Sequence, residues 1–165
     1  MLNRPGFSQT QIEGDFVVFL IGMRINKPLK FWKWAAVASK MGPMVAELSR
    51  RPELGMLHSR MHFGLPNIML VQYWRSFEHL RAYATDSQGL HLPAWRAFNQ
   101  ATAGNDDVGI WHETYLVAAG AYENIYHNMP AYGLGRAGTL APALGRRQSA
   151  AGRLGRSDGT DQPTI

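Results

Sequence analysis

Cysteine is absent from all 165 residues. Its absence excludes disulfide staples, thiolate nucleophiles and thiolate metal sites. It also suits a reducing compartment, so a cytoplasmic location is expected. Long apolar runs are missing too. The longest, FVVFLIGM from Phe16 to Met23, falls short of the ~20 residues that span a bilayer. Glu13 and Asp15 stand just before or at its start, where a secretory leader would carry positive charge. No leader and no membrane partner are therefore expected. Aromatic residues are absent after Tyr132, although five Trp, six Tyr and seven Phe precede or include it. A basic folded surface is missing as well. The formal charge is +5, but residues 136–165 hold five Arg against two Asp. With so little positive charge left on the aromatic-rich part, no specific nucleic-acid partner is expected.

What remains is ordinary globular material, with 45% hydrophobic and 18% charged residues. One domain over residues 15–135 is expected, between a flexible lead (1–14) and a disordered basic tail (136–165) whose Gly-, Ala- and Arg-rich composition cannot build a core. Asp15 to Ile25 is apolar on both alternating faces, as in a strand covered on both sides. Leu29, Trp32, Val37, Met41, Met44, Val45 and Leu48 recur at helical spacing; Gly42-Pro43 predicts a kink or two short helices, and Pro52 a stop. Leu54 to Gly64 and Asn67 to Arg75 alternate and form a predicted hairpin across Leu65-Pro66-Asn67. Ser76 is a natural N-cap for a helix to about Ala84, a second helical stretch is opened by Pro93, and Val108 to Val117 is a further strand. A short strand over Ala121–Met129 is a further option.

The order β-α-β-β-α-(α)-β is the ferredoxin-like split βαβ pattern: an α+β fold with an antiparallel four-stranded sheet and helices on one face. The strands are apolar on both faces, so a second copy of the chain is expected to cover the other. That gives a homodimer whose sheets pack together.

Two histidines carry the chemical interest. His91, Trp95 and Phe98 share one helical face by their spacing. In the last strand Trp111, Glu113 and Tyr115 point one way, while Ile110, His112 and Thr114 point the other. A histidine in an apolar strand favours the neutral imidazole, which can act as base, donor or metal ligand. Each histidine taken alone is more often a satisfied core or interface residue. His58 and His62 lie about 13 Å apart along an extended strand, too far for one metal ion. GLGRAG (Gly133–Gly138) neither follows a strong strand nor opens a helix, so a dinucleotide site is not expected.

The stretches FVVFLIGMRIN, PELG, VQYWRSFEHL, HLPAWRAFN, GIWHETY and NMP cover residues 15–135. Together they resemble a small monooxygenase-like family of the dimeric α+β barrel superfamily. The resemblance implies the homodimeric barrel, a hydrophobic small-molecule substrate, and oxygenation that some members perform without metal or flavin. The implied proton-transfer group is His112, with Tyr73, Trp95, Phe98 and Trp111 around the substrate. YWRSFEHL, HLPAW and WHETY also resemble, more distantly, the haem-containing aldoxime dehydratases. That likeness implies haem b, with His91 as axial ligand and His112 as distal acid-base group. The cofactor is thus none, or haem b. A non-catalytic haem- or ligand-binding dimer is the remaining alternative.

Overall fold

The computed structural model describes residues 6–156 and 159–160. Seven strands and four α-helices run in the order β1 (Phe7–Gln11), β2 (Phe16–Ile25), α1 (Phe31–Arg50), β3 (Met56–Phe63), β4 (Asn67–Trp74), α2 (Phe77–Thr85), α3 (His91–Thr102), β5 (Val108–Val117), β6 (Tyr126–His127), β7 (Thr139–Pro142) and α4 (Ala150–Arg153). The described residues divide into two compact units, one over residues 17–115 and one formed by residues 6–16 together with the described residues from 116 on.

The first unit has the strand order β3-β4-β2-β5. That is the ferredoxin-like split βαβ sheet, as the alternation of elements predicts. Register fixes which residues share a face. Val17 pairs with Trp74, Phe19 with Gln72, Ile21 with Leu70 and Met23 with Ile68. These side chains face the helices, where Val17, Leu70 and Trp74 are almost wholly buried. The intervening pairs Val18 with Tyr73, Leu20 with Val71 and Gly22 with Met69 lie on the opposite face. There they are joined by His58, Arg60 and His62, which pair with Tyr73, Val71 and Met69. Gly22 is required by a close approach. A Cβ at that position would stand 2.6 Å from Cε2 of Trp111.

Local signals act much as their chemistry dictates. The Ser76 side chain caps α2 by accepting from the backbone N–H of His79, with Glu78 in the first turn. Helix α1 is one helix from Phe31 to Arg50 with Pro43 inside it, so of the two expected outcomes, a kink or two short helices, the second does not occur. The packing of its apolar face outweighs the one backbone bond that proline removes. The loop between α3 and β5 is fastened to the start of α1. The Asp107 carbonyl accepts from the backbone N–H groups of Asn26 (3.1 Å) and Lys27 (3.3 Å). The Asp107 carboxylate accepts from Lys30 Nζ at 2.9 Å.

The second unit is built on the three-stranded sheet β6-β1-β7. Strand β1 lies in the expected flexible lead and β7 in the expected disordered tail. Ser8 to Gln11 pair with Thr139 to Pro142 over four residues. The tail also carries α4 and a charge that composition reads as free: the Arg153 side chain is 3% exposed and bonds Glu123 at 2.7 Å. Its guanidinium also donates to the carbonyls of Arg147 and Gln148. Strand pairing of this kind uses backbone groups, so Gly-, Ala- and Arg-rich sequence can supply it without an apolar pattern. The optional short strand over Ala121–Met129 is β6, only two residues long.

Candidate active site

The helix-covered face of the four-stranded sheet is packed at both ends and open in the middle. At one end Val17, Leu48, Trp74, Leu80 and Tyr83 form a core cluster. At the other, Met23, Ile25 and Val108 form a second, with Trp34, Val37, Phe98 and Ile110 against it. Between them lies a cavity of about 290 Å³. Its floor is the two middle register pairs, Phe19 with Gln72 and Ile21 with Leu70, together with Ile110. Its walls come from α1, the end of α2, and α3. The hollow exists because several wall positions are small: Ala36, Ala84, Ala94 and Ala97 all line it. A larger residue at any of them would extend into the space.

Of the residues singled out from the sequence, His91, Trp95 and Phe98 line this cavity together. The rings of Trp95 and Phe98 stack with centroids 5.7 Å apart. His91 lies at the first turn of α3, its Nδ1 3.1 Å from the carbonyl oxygen of Ala84. A carbonyl can only accept, so Nδ1 carries the proton and the lone pair of the neutral ring resides on Nε2. Glu47 of α1 ties the neighbouring elements together, accepting from Tyr83 Oη and from the backbone N–H of Leu90, each at 3.3 Å. Burial, reinforced by the Glu47 carboxylate, pushes the Tyr83 phenol well above its ordinary range. Tyr83 is therefore a fixed neutral donor and not a base.

His112 shares the helix-covered face with Ile110 by strand alternation. Its ring is 5.7 Å from that of Phe19, a floor residue; His112 itself is exposed and is not among the residues that line the cavity. Tyr73 and Trp111 are elsewhere. Tyr73 pairs with Val18 on the opposite face, and Trp111 packs against Gly22 on that same face. The structure thus brings together His91, Trp95 and Phe98, leaves His112 against Phe19 outside the lining, and separates Tyr73 and Trp111.

Sequence reasoning missed Gln72, Lys33 and Lys40, all of which line the cavity. Gln72 is 6% exposed and its Oε1 accepts from Trp74 Nε1 at 2.9 Å. The available signal was a polar residue alternating with Leu70 and Trp74 on the buried side of a strand. The lysines are seven residues apart on α1, in step with its apolar stripe.

A second cleft, of about 420 Å³, lies in the β6-β1-β7 unit. Although larger, it is walled by groups engaged with one another. Tyr122 Oη bonds the backbone of Ile12, Asn124 pairs with both backbone groups of Thr10, and Arg153 holds Glu123. These contacts pin the sheet, and no imidazole lines the cleft. Among the described residues no group of three or more His, Asp or Glu could hold a metal ion. No described helix is long and apolar enough to cross a membrane.

The antiparallel ferredoxin-like sheet thus carries helices over a largely apolar cavity lined by one imidazole. The chain belongs to the monooxygenase af470-like family, whose model matches residues 16–134. It is 31% identical over 132 residues to Monooxygenase af470 of Aspergillus fumigatus, a match that covers 75% of this chain and 46% of that protein. The chain thus spans less than half the length of this relative. Two aldoxime dehydratases share the fold. One, solved with butyraldoxime, superimposes with a TM-score of 0.66 at 16% identity, covering 81% of this chain and 40% of its own. The other gives 0.63 at 17% identity, covering 77% and 39%.

Proposed function

We propose that the protein is a monooxygenase that oxidises a small, flat, largely apolar organic molecule bound between the sheet and helices α1 and α3. The observation that carries this reading is the cavity of about 290 Å³, edged by imidazole, in a chain of the monooxygenase af470-like family. Its volume is near the low end for small-molecule sites. Stacked Trp95 and Phe98 would hold a planar ring. His112 is the base: it takes a proton from an activated C–H or O–H of the substrate. The resulting anion passes one electron to dioxygen, and the substrate radical and superoxide join in a peroxide. His112 returns its proton to the peroxide. The same carbon then gives up its second hydrogen as a proton while the O–O bond breaks, leaving one oxygen on the substrate as a carbonyl. The hydroxide that departs takes up that proton and leaves as water. Dioxygen is the only oxidant required.

The test is turnover with isotopically labelled dioxygen, read by mass spectrometry. Product should gain one labelled oxygen and lose two hydrogens. His112→Ala should lower turnover by about 10²–10⁴-fold while leaving substrate affinity unchanged. Full turnover in that variant would overturn the role of His112.

A second reading, a haem-dependent lyase like the aldoxime dehydratases, is favoured by one observation, the Nδ1 contact of His91 with the Ala84 carbonyl. That contact leaves Nε2 with the free lone pair, so His91 is the residue that would hold the iron. His91 would bind the iron, and His112 would move the proton. When bound, haem would supply Lewis-acid and redox chemistry at its iron. A Soret band on haem addition that disappears in His91→Ala supports this alternative.

The same family reading includes a homodimer formed through the face carrying Val18, Leu20, Val71, Tyr73 and Trp111. All five are half-buried within this chain and would lose their remaining solvent contact against a second copy. Sedimentation should give twice the mass of the chain; a folded monomer at micromolar concentration rules the dimer out.

A further inference from the structure

Formal charge around the cavity is one-sided. Lys33 and Lys40 line it, and no aspartate or glutamate does. Both lysines project from the α1 face that also presents Ala36, Val37 and Met44 to the cavity. Among the described residues neither ammonium is held in an ion pair. Glu47, the nearest acid along α1 on that side, is already engaged by Tyr83 and Leu90. Two cations beside a largely apolar hollow attract an anion whose remainder is greasy, and their long stems add to the apolar wall.

We propose that the ligand of this cavity is an amphiphilic acid, its apolar ring system against Trp95 and Phe98 and its anionic group paired with Lys33 and Lys40. This rests on the assignment of the cavity as the ligand site, not on the oxygenation chemistry, because it is read from equilibrium binding. The same anionic chemistry comes from two sources, an organic carboxylate or the propionates of haem.

The assay is quenching of tryptophan fluorescence, since Trp32 and Trp95 line the cavity. Two pairs of probes, each matched in shape, are titrated: 2-naphthoate against 2-naphthamide, and protohaem against its dimethyl ester. The acid of at least one pair should bind about fivefold more tightly than its neutral partner, the scale for a solvent-exposed ion pair. The preference should shrink as salt rises. It should vanish in Lys33→Met/Lys40→Met and persist in Lys33→Arg/Lys40→Arg. Preference confined to naphthoate identifies an organic acid; preference confined to protohaem identifies propionates. Equal binding of acid and neutral forms in both pairs overturns the proposal, as does no binding of any probe. A preference that survives in the Met variant also overturns it. A failure of oxygenation with the acid preference intact would count against the monooxygenase reading alone.

Discussion

The two ends of the helix-covered sheet face and its middle are built from the same strands, yet they have opposite fates. At the end marked by the pair Val17–Trp74, large side chains meet large side chains, and Trp74 is 0% exposed. At the middle pairs Phe19–Gln72 and Ile21–Leu70, the helices answer with Ala36, Ala94 and Ala97, and a hollow remains. Burial and packing density stabilise the ends. The middle gives up contacts to keep space for a ligand, a trade typical of functional sites. The ends therefore govern stability and the middle governs binding.

The sharpest way to break this contrast is at the packed end. Trp74→Ala should destabilise the fold by about 3–5 kcal/mol, read as a lowered denaturant midpoint, because it removes a fully buried ring and leaves a cavity. A loss under about 1 kcal/mol would show that the end is not tightly packed. The converse change belongs in the middle. Ala94→Leu should shift stability by less than about 1.5 kcal/mol but abolish probe binding, because the added side chain occupies the hollow. Binding at unchanged affinity would place the ligand elsewhere. The smallest effect concerns the anchor outside both regions. The hydrogen bond from Lys30, aided by its positive charge, holds the Asp107 carboxyl below the ordinary carboxylate range. A carboxyl whose folded pKa is lowered adds stability above its unfolded pKa, near 4, and loses it as pH falls through the folded value. Asp107→Asn should thus flatten the acid limb of the stability–pH curve while leaving its shape near neutrality unchanged. An unaltered acid limb would show that this contact does not contribute.

Much of this architecture was legible in the residues. Strand alternation in Phe16–Ile25 and Val108–Val117, the cap at Ser76, and the shared helical face of His91, Trp95 and Phe98 are local properties, set by geometry that repeats every two or 3.6 residues. Tyr73 and Trp111 illustrate what local pattern leaves open. Both flank histidine-bearing or core stretches and are aromatic, but register sets them on the far face. Strands β1 and β7 show a second gap. They pair through backbone groups over a separation of more than a hundred residues, and neither has an apolar rhythm to announce it.

The sequence by itself determined the element order, the fold class and the helical grouping of His91, Trp95 and Phe98, because each follows from short-range periodicity and capping. Only the tertiary structure decided where the hollow lies, that Gln72, Lys33 and Lys40 line it, and that residues near both ends of the chain share a sheet. Those depend on which distant side chains meet, and on how much volume they leave between them, quantities that no single segment of chain contains.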